Sequence, residues 1–474
     1  MTTREFPICT GVLQGSVLGP LLFLMFIDDL LEKLHDSGSG IPMADLTLSD
    51  LAYADDVTLL ALSVKELQNL LDICWVWAQA NRMRFSLTKC FAVVFNSISR
   101  KKEDLPALQL GKYEIKSYYP KQVSDLYLGV HITDRIVCTK LDHNFSHPHF
   151  LVPNYRSKPN PRYLKRIKEK FNRSRFGIHK LCEDREILTP TISVRLYKTL
   201  QRSTLLYAIE ICDWDIDQVA ELEILQAKAI RSLFDLDRLC PKAVLRLVTG
   251  VEPVEARIDL HVLMYYAKLC RSKPNCFLGR IHNHRSTISS DLPVGFYYTA
   301  QKTLCKYKIG NLWNNIPDNT EVDLKTLFKK TIWSCHWGKD VSEALKANSF
   351  FAAIFLNNRT PDCFPYKQHN LLKCLRTEIF QRNSLSRVLR FWLTSPRERV
   401  CPCGGETNNL SLHLLFFCDD TRDIRARYTA KLPSEISKMY TPNTIEVFLR
   451  VLTNSAKLLE DFNLMICKFE YPRY

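Results

Sequence analysis

The feature that most constrains this chain is a pair of adjacent carboxylates, Asp55 and Asp56, set between two apolar runs. Residues 46–54 and 57–62 are rich in Leu, Tyr, Val and Thr, which favour strands, and consecutive aspartates are typical of a tight turn. The pattern predicts a β-hairpin with both acids at its tip. Neighbouring carboxylates repel unless a cation lies with them, and Mg²⁺ accepts carboxylates together with substrate phosphates. The pair therefore indicates a metal site for phosphoryl chemistry, and an ordinary solvated turn is the alternative.

A second motif lies about forty residues before the acids. Residues 11–23 read GVLQGSVLGPLLF, residues 26–30 read FIDDL, and the acids themselves belong to YADD at 53–56. Together these segments resemble the polymerase palm of reverse transcriptases, and more narrowly that of non-LTR (LINE-type) retrotransposons. The usual Pro of the first motif is Leu13 here. The resemblance implies RNA-directed DNA synthesis, with an RNA template, a DNA primer and deoxynucleotide triphosphates as partners.

The resemblance also implies roles for single residues. Gln14, Gly15 and Tyr53 would support the template and the incoming nucleotide. Asp55 and Asp56 would be the catalytic carboxylates that bind Mg²⁺ or Mn²⁺.

A lysine after the next helix is a further catalytic candidate. Ser63 and Glu66 have the spacing of a capping box, and apolar residues then repeat at helical spacing until Asn81. Residues 85–95 predict a strand that carries Lys89. A lysine at this place in the family implies a charge partner or general acid near the triphosphate. A solvated surface lysine is the alternative. Residues 108–111 and 127–132 predict two more strand-like pieces, and the second resembles the family's primer-gripping hairpin.

A third catalytic carboxylate is expected on a strand upstream of Gln14 in this family. Only ten residues precede Gly11, and they contain no counterpart. We therefore expect an incomplete polymerase palm that is inactive alone. The alternative, from a different functional class, is a non-catalytic nucleic-acid-binding remnant of a retroelement.

Composition supports a polyanionic partner. Lysine and arginine outnumber aspartate and glutamate by 65 to 50, which gives a net charge of +15. The 17 cysteines lack the regular spacing of a secreted disulfide framework, so we expect a reducing intracellular location in the nucleus or cytoplasm. The apolar run 17–27 is too short to span a bilayer and predicts a buried helix packed behind the hairpin, with no membrane partner.

The most basic segment follows a Pro-rich stretch at 136–161, which predicts a linker or long loop. From Arg156 to Lys180 only Glu169 opposes ten cations, and interleaved apolar residues predict a helix with one apolar side. Such a face would bind phosphates without sequence preference, although a solvated helix surface is the alternative. The candidate nucleic-acid-binding residues are Arg162, Lys165, Arg166, Lys168, Lys170, Arg173 and Arg175.

A cysteine and histidine cluster near the C-terminus predicts a zinc site. Cys401, Cys403, His413 and Cys418 supply three thiols and one imidazole, the complete ligand set of a structural Zn²⁺. Chance clustering among the 17 cysteines is the alternative. The family carries a similar C-terminal knuckle followed by arginines, which implies a nucleic-acid-binding module.

These observations predict an α+β fold. The expected order is a partial reverse transcriptase palm, a helical thumb-like region and a small zinc knuckle. The predicted domains are the palm at 1–135, the linker at 136–161, the thumb-like region at 162–275, a helical connection at 276–395, the knuckle at 396–428 and a tail at 429–474.

Overall fold

The computed structural model divides the chain into two compact units. One unit is formed by residues 1–136 and 272–291, and the other by residues 137–271 and 292–474. The structure describes residues 11, 15–43, 46–95, 106–119, 126–128, 130–131, 161–183, 190–211, 214–234, 240–288, 295–317, 323–347, 403, 418–423 and 426.

The first helix, α1 (Gly19–Asp36), begins with Pro20 in its first turn, where the missing N–H of proline is harmless. Its buried apolar side chains, Ile27, Leu30 and Leu34, join a core to which Val57 and Leu59 of the hairpin are also packed. The predicted packing of this helix behind the hairpin is thus confirmed.

The prediction that α1 is buried on most of its circumference is wrong. In its N-terminal half Leu21, Leu22 and Leu24 are each more than half exposed, and Met25 is 68% exposed. The apolar pattern indicates hydrophobic residues on every side of α1. In the described part of the first unit, however, the packing partners fully bury only the apolar side chains of Ile27, Leu30 and Leu34, and they partly bury Phe23 and Leu31.

Four short strands follow α1. Strand β1 (Ile41–Met43) pairs antiparallel with β2 (Leu46–Leu48), and β3 (Asp50–Tyr53) pairs antiparallel with β4 (Asp56–Leu59). The predicted first arm at 46–54 is therefore two strands separated at Ser49. The second arm is one strand that ends at Leu59.

Helix α2 (Val64–Ala80) covers the hairpin and a small sheet. The predicted capping box is present, because Ser63 accepts from the backbone N–H of Glu66 and Glu66 accepts from that of Ser63. Trp75 of this helix closes over Gly111. A Cβ atom at Gly111 would lie 2.2 Å from the indole, and its φ of +62° also favours glycine.

The remaining strands of this unit are short. Strand β5 (Phe91–Val93) pairs parallel with β7 (Tyr113–Tyr118), which pairs antiparallel with β6 (Leu108–Leu110). Strands β8 (Leu126–Tyr127) and β9 (Val130–His131) form the hairpin predicted at 127–132.

Helices dominate the rest of the described chain. In order they are α3 (Pro161–Glu183), α4 (Pro190–Leu196), a π-helical turn at Tyr197–Gln201, α5 (Arg202–Leu205), α6 (Ile216–Leu233), α7 (Lys242–Thr249), α8 (Val254–Cys270), α9 (Phe277–Ile288), α10 (Gly295–Lys306) and α11 (Leu324–Ala347). Helix α9 lies in the first unit, and the others lie in the second. None of the described helices combines the length and apolar content that a bilayer span requires.

A buried ion network joins the helices of the second unit. Arg246 on α7 is 7% exposed. Its Nε donates a hydrogen bond to Asp340 on α11 over 2.9 Å, and its Nη1 donates one to Glu223 on α6 over 2.7 Å. Burial by itself lowers the pKa of Arg246, but the two carboxylates outweigh burial and hold that pKa above its usual range. The ion pairs therefore connect three helices that are far apart in sequence.

Replacing Arg246 with Met should lower the free energy of unfolding by about 3–5 kcal/mol, because it leaves the buried Asp340 carboxylate without its cation. Chemical denaturation measures the change. The matched control is Lys242→Met at the start of the same helix, where the side chain is partly exposed and we expect a change within about 0.5 kcal/mol. Equal losses in both variants would show that the network contributes no specific stability.

Candidate metal site and nucleic-acid interface

The candidate metal site is the tip of the β3–β4 hairpin. The register pairs Tyr53 with Asp56, so the connecting residues are Ala54 and Asp55. The turn therefore lies one residue earlier than predicted, and Asp56 is the first residue of β4. Both carboxylates still belong to the tip.

The turn itself is held in an unusual backbone conformation. Ala54 has φ +52°, at the first central position of a two-residue connection, which is where type II′ turns require a positive φ. Glycine is the usual residue there, and a non-glycine residue in a sparsely populated region costs on the order of 1–3 kcal/mol. The tight two-residue connection fixes the position of Asp55 relative to Asp56.

Below the tip the hairpin has a well-packed base. Asp50 is 6% exposed, accepts a hydrogen bond from the Ser49 hydroxyl over 2.7 Å and lies 3.3 Å from Nε2 of His35. The N–H of Leu60 donates to the carbonyl of Ser49 over 2.7 Å. Asp50 therefore connects the end of the hairpin opposite the tip to Ser49 and His35.

The tip is open to solvent within its own unit. Tyr53 is 64% exposed, and Ala54, Asp55 and Asp56 are exposed as well. Side chains in this position are free to receive a metal ion together with the phosphates of a substrate, because no packed neighbour has to be displaced.

The FIDDL acids do not contribute to this site. Asp28 is exposed on α1, and Asp29 accepts from the indole N–H of Trp77 over 2.8 Å and pairs with Lys33. The hydrogen bond from Lys33, followed by that from Trp77, holds the pKa of Asp29 below its usual value. Asp29 therefore connects α1 to α2 and does not contribute a ligand to the candidate metal site.

A third ligand does not join the pair within the described part of the chain. There, the group of three ligand-type side chains that lie within 4.8 Å of one another is Glu255, Asp259 and His336 in the second unit. Polymerase chemistry needs two cations, and two acids on one turn hold them only with a further carboxylate. We therefore expect the described residues to provide only part of the ligand set of a two-metal site.

The other predicted polymerase residues have mixed outcomes. Gly15 is exposed with φ +91°, and Gln14 lies outside the described residues. The strand predicted at 85–95 is wrong in its first half, because residues 87–89 form a turn and the N–H of Lys89 donates to the carbonyl of Ser86 over 2.8 Å. Polar Ser86 and Thr88 favour such local hydrogen bonds over a strand. Lys89 is therefore an exposed turn residue just before β5.

Comparison with known proteins assigns this unit. Residues 1–132 match the family described as "Reverse transcriptase (RNA-dependent DNA polymerase)". These residues are therefore similar in sequence to reverse transcriptases. The match contains both the segment around Gly15 and the hairpin that carries the two acids.

Related proteins come from non-LTR retrotransposons. The chain is 25% identical to the RNA-directed DNA polymerase from mobile element jockey of Drosophila melanogaster. The alignment spans 234 residues, which are 48% of this chain and 22% of the relative. It is 30% identical over 99 residues to the Pol polyprotein from the type-1 retrotransposable element R2 of Popillia japonica, 21% of this chain and 16% of the relative. The chain thus spans about a fifth or less of the curated relatives' lengths.

The candidate nucleic-acid interface is helix α3, which has one apolar side as predicted. Phe176, which was expected on that side, is 66% exposed, so the prediction is wrong at that residue. Tyr163, Ile167 and Phe171 are buried on one side, and Lys165, Lys170 and Arg173 are exposed on the other. Arg166 and Arg175 are partly exposed. The side chain of Arg162 lies outside the described part of the chain.

The charges on α3 are largely unopposed. Lys168 pairs with Glu221 on α6. Lys165, Arg166, Lys170, Arg173 and Arg175 have no carboxylate partner among the residues that the structure describes. These five cations form the basic face. A face of this kind attracts phosphates, and it releases counterions when they bind.

Two of the four predicted zinc ligands lie outside the described part of the chain. Cys401 and His413 are not described, while Cys403 is exposed and Cys418 is buried. The zinc site stays a prediction.

Sequence reasoning missed the cluster of Glu255, Asp259 and His336, in which Asp259 and His336 are buried and Glu255 is partly exposed. Nζ of Lys306 lies 2.7 Å from Oε1 of Glu255 and 2.6 Å from Oδ2 of Asp259. The ammonium group of Lys306 therefore occupies the place that a metal ion would take between these carboxylates. Burial, which disfavours the imidazolium form, lowers the pKa of His336 to about 4. The helical spacing of Glu255 and Asp259 was visible in the sequence, but their meeting with Lys306 and His336 depends on long-range packing.

Proposed function

We propose that the chain is part of an RNA-directed DNA polymerase of a non-LTR retroelement. The observation that carries the proposal is the exposed hairpin tip with Asp55 and Asp56, inside residues that match the reverse transcriptase family. Nucleotide incorporation on a primed RNA template tests the proposal, when it is compared between a chimera that adds an upstream polymerase segment before Met1 and the Asp55→Asn variant of that chimera.

The roles of the residues follow from this chemistry. In polymerisation the primer 3′-hydroxyl attacks the α-phosphate of a deoxynucleotide and pyrophosphate leaves. Divalent Mg²⁺ or Mn²⁺ supplies activation of the nucleophile and stabilisation of the leaving group. Asp55 and Asp56 hold the metal, Gln14, Gly15 and Tyr53 support template and nucleotide, and the exposed Lys89 is a candidate proton donor to the leaving group.

A second candidate function is nucleic-acid binding without catalysis. The basic face of α3 favours it, because five cations without a described carboxylate partner bind phosphates whether or not the hairpin is catalytic. This function and the polymerase proposal share one partner, an RNA strand or a primer–template duplex, and they differ in nucleotide incorporation.

We also propose a structural Zn²⁺ held by Cys401, Cys403, His413 and Cys418. The support is the donor set of three thiols and one imidazole, which leaves no open ligand position. Protein purified without added metal should contain roughly one Zn²⁺ per chain, and Cys403→Ser or His413→Ala should lose most of it. The exposed Cys305→Ser is the matched control and should keep its zinc. Absence of zinc from the original chain would contradict this proposal.

A further inference from the structure

An exposed aromatic ring interrupts the charged side of α3. Phe176 keeps 66% of its surface exposed. At 3.6 residues per turn it lies in line with Lys165, Glu169 and Arg173, opposite the buried side of the helix. A large apolar ring gains no burial energy at such a position in the isolated chain.

The surroundings of the ring leave it accessible. The guanidinium of Arg175 lies 5.1 Å from the ring centroid, a cation–π distance. Gly177 follows, and a Cβ atom built there meets no described atom within 4 Å. The space beside the ring is therefore open and is bordered by cations.

We propose that Phe176 stacks on an unpaired base of a nucleic-acid strand whose phosphates lie along the basic face. This inference rests on the proposed nucleic-acid binding and adds to it a preference for unpaired nucleotides. An aromatic ring stacks on any base, because every base has a π-face, and cations beside the ring hold the backbone close. A base inside a duplex is already stacked on both faces and gains nothing from Phe176.

The preference for unpaired nucleotides follows because the cations and the aromatic ring contact different parts of a nucleotide. The cations contact phosphates, which single strands and duplexes both present, and their contribution weakens with salt. The ring contacts a base face, which only an unpaired nucleotide presents, and its contribution is nearly independent of salt. Replacing the ring should therefore alter affinity for single strands without altering the dependence on salt.

The test measures binding of the complete 474-residue chain by fluorescence anisotropy. The probes are a mixed-sequence RNA of about 12 nucleotides, DNA of the same sequence and the corresponding duplex, since aromatic-lined sites cover about 4–16 nucleotides. The variants are Phe176→Ala and Phe176→Trp. Ile216→Ala is the matched control, because Ile216 is 88% exposed but lies between Asp215 and Asp217.

Phe176→Ala should weaken single-strand binding about 5- to 150-fold, which corresponds to about 1–3 kcal/mol per stacked base at 1.36 kcal/mol per tenfold change. Duplex binding and the salt dependence should stay unchanged, Phe176→Trp should bind as well as the original chain, and Ile216→Ala should have no effect. Equal losses for RNA and DNA single strands locate the contact on the base; a loss for RNA alone would show contact with the 2′-hydroxyl and overturn stacking.

An unchanged affinity of Phe176→Ala, or an equal loss for single strand and duplex, also overturns the proposal. If reversal of the five cations still abolishes binding in that case, the basic face stands and only the stacking role fails. A second copy of the chain is the other possible occupant of this surface. Light scattering that shows dimers of the original chain, monomers of Phe176→Ala and unchanged RNA affinity would assign the ring to self-association and overturn stacking.

Discussion

Reversal of the five cations of the basic face, Lys165, Arg166, Lys170, Arg173 and Arg175, to glutamate should weaken RNA binding by at least about 10²-fold near 0.1 M salt. The reason is that each cation that contacts a phosphate releases counterions, which adds about 0.7 to the slope of log affinity against log salt for a single strand. Loss of all five contacts should lower that slope by roughly 3–4. Titrations at several salt concentrations measure both quantities.

The control for this experiment changes the net charge equally. The residues Lys302, Lys308, Lys325, Lys330 and Lys346 are exposed on α10, α11 and the segment between them. Their reversal to glutamate removes the same ten units of charge from the chain, so a general electrostatic effect would appear in both variants. We expect the control to lose much less affinity. Equal losses would mean that the total charge and not α3 directs binding, and unchanged binding of the first variant would refute the interface.

The sequence predicted the elements of the first unit better than their exposure. The apolar residues of α1 indicated a helix correctly, because helical spacing depends on neighbours along the chain. They also indicated burial on most sides, and that was wrong at Leu21 and Leu24. A hydrophobic pattern records which side chains favour burial but not which partners are available to cover them.

The hairpin, too, was predicted correctly in kind but not in detail. Its composition located the two acids at the tip, but the turn begins at Ala54, one residue before the predicted Asp55. No glycine or asparagine marks that positive φ, so turn chemistry gave no signal there. The register depends on packing of Val57 and Leu59 against α1 and α2, which local sequence does not contain.

On α3 the sequence predicted the basic residues but could not show which of them pair with a carboxylate of another helix. Lys168 pairs with Glu221, which lies on α6 far along the chain, and we therefore expect Lys168 to contribute less than its neighbours to phosphate binding. The same limit applies to Arg246 and Asp340, whose contact depends on the packing of α7 against α11. Local periodicity predicts helices and their apolar sides, whereas ion pairs between helices require the tertiary fold.

The largest expected effect concerns the incomplete metal site. Asp55 and Asp56 lack a third ligand among the described residues, and a missing metal ligand removes several kcal/mol of transition-state stabilisation, at 1.36 kcal/mol for each tenfold in rate. We therefore expect the 474-residue chain to show no primer extension above background with Mg²⁺ or Mn²⁺. A chimera that adds an upstream segment, on which the family resemblance implies a further catalytic carboxylate, should extend the primer. Its donor is the segment of the Drosophila melanogaster jockey polymerase that precedes the matched region, placed before Met1.

The decisive measurement is single-nucleotide incorporation by this chimera on a primed RNA template, with Asp55→Asn as the test variant and Asp28→Asn as the control. Asp28 is an exposed carboxylate on α1 that the metal site does not use. We predict that Asp55→Asn lowers the rate by at least about 10²-fold, the loss expected for several kcal/mol, while Asp28→Asn leaves it unchanged. Incorporation by the chimera that persists in Asp55→Asn would contradict the assignment of the hairpin tip as the metal-binding centre.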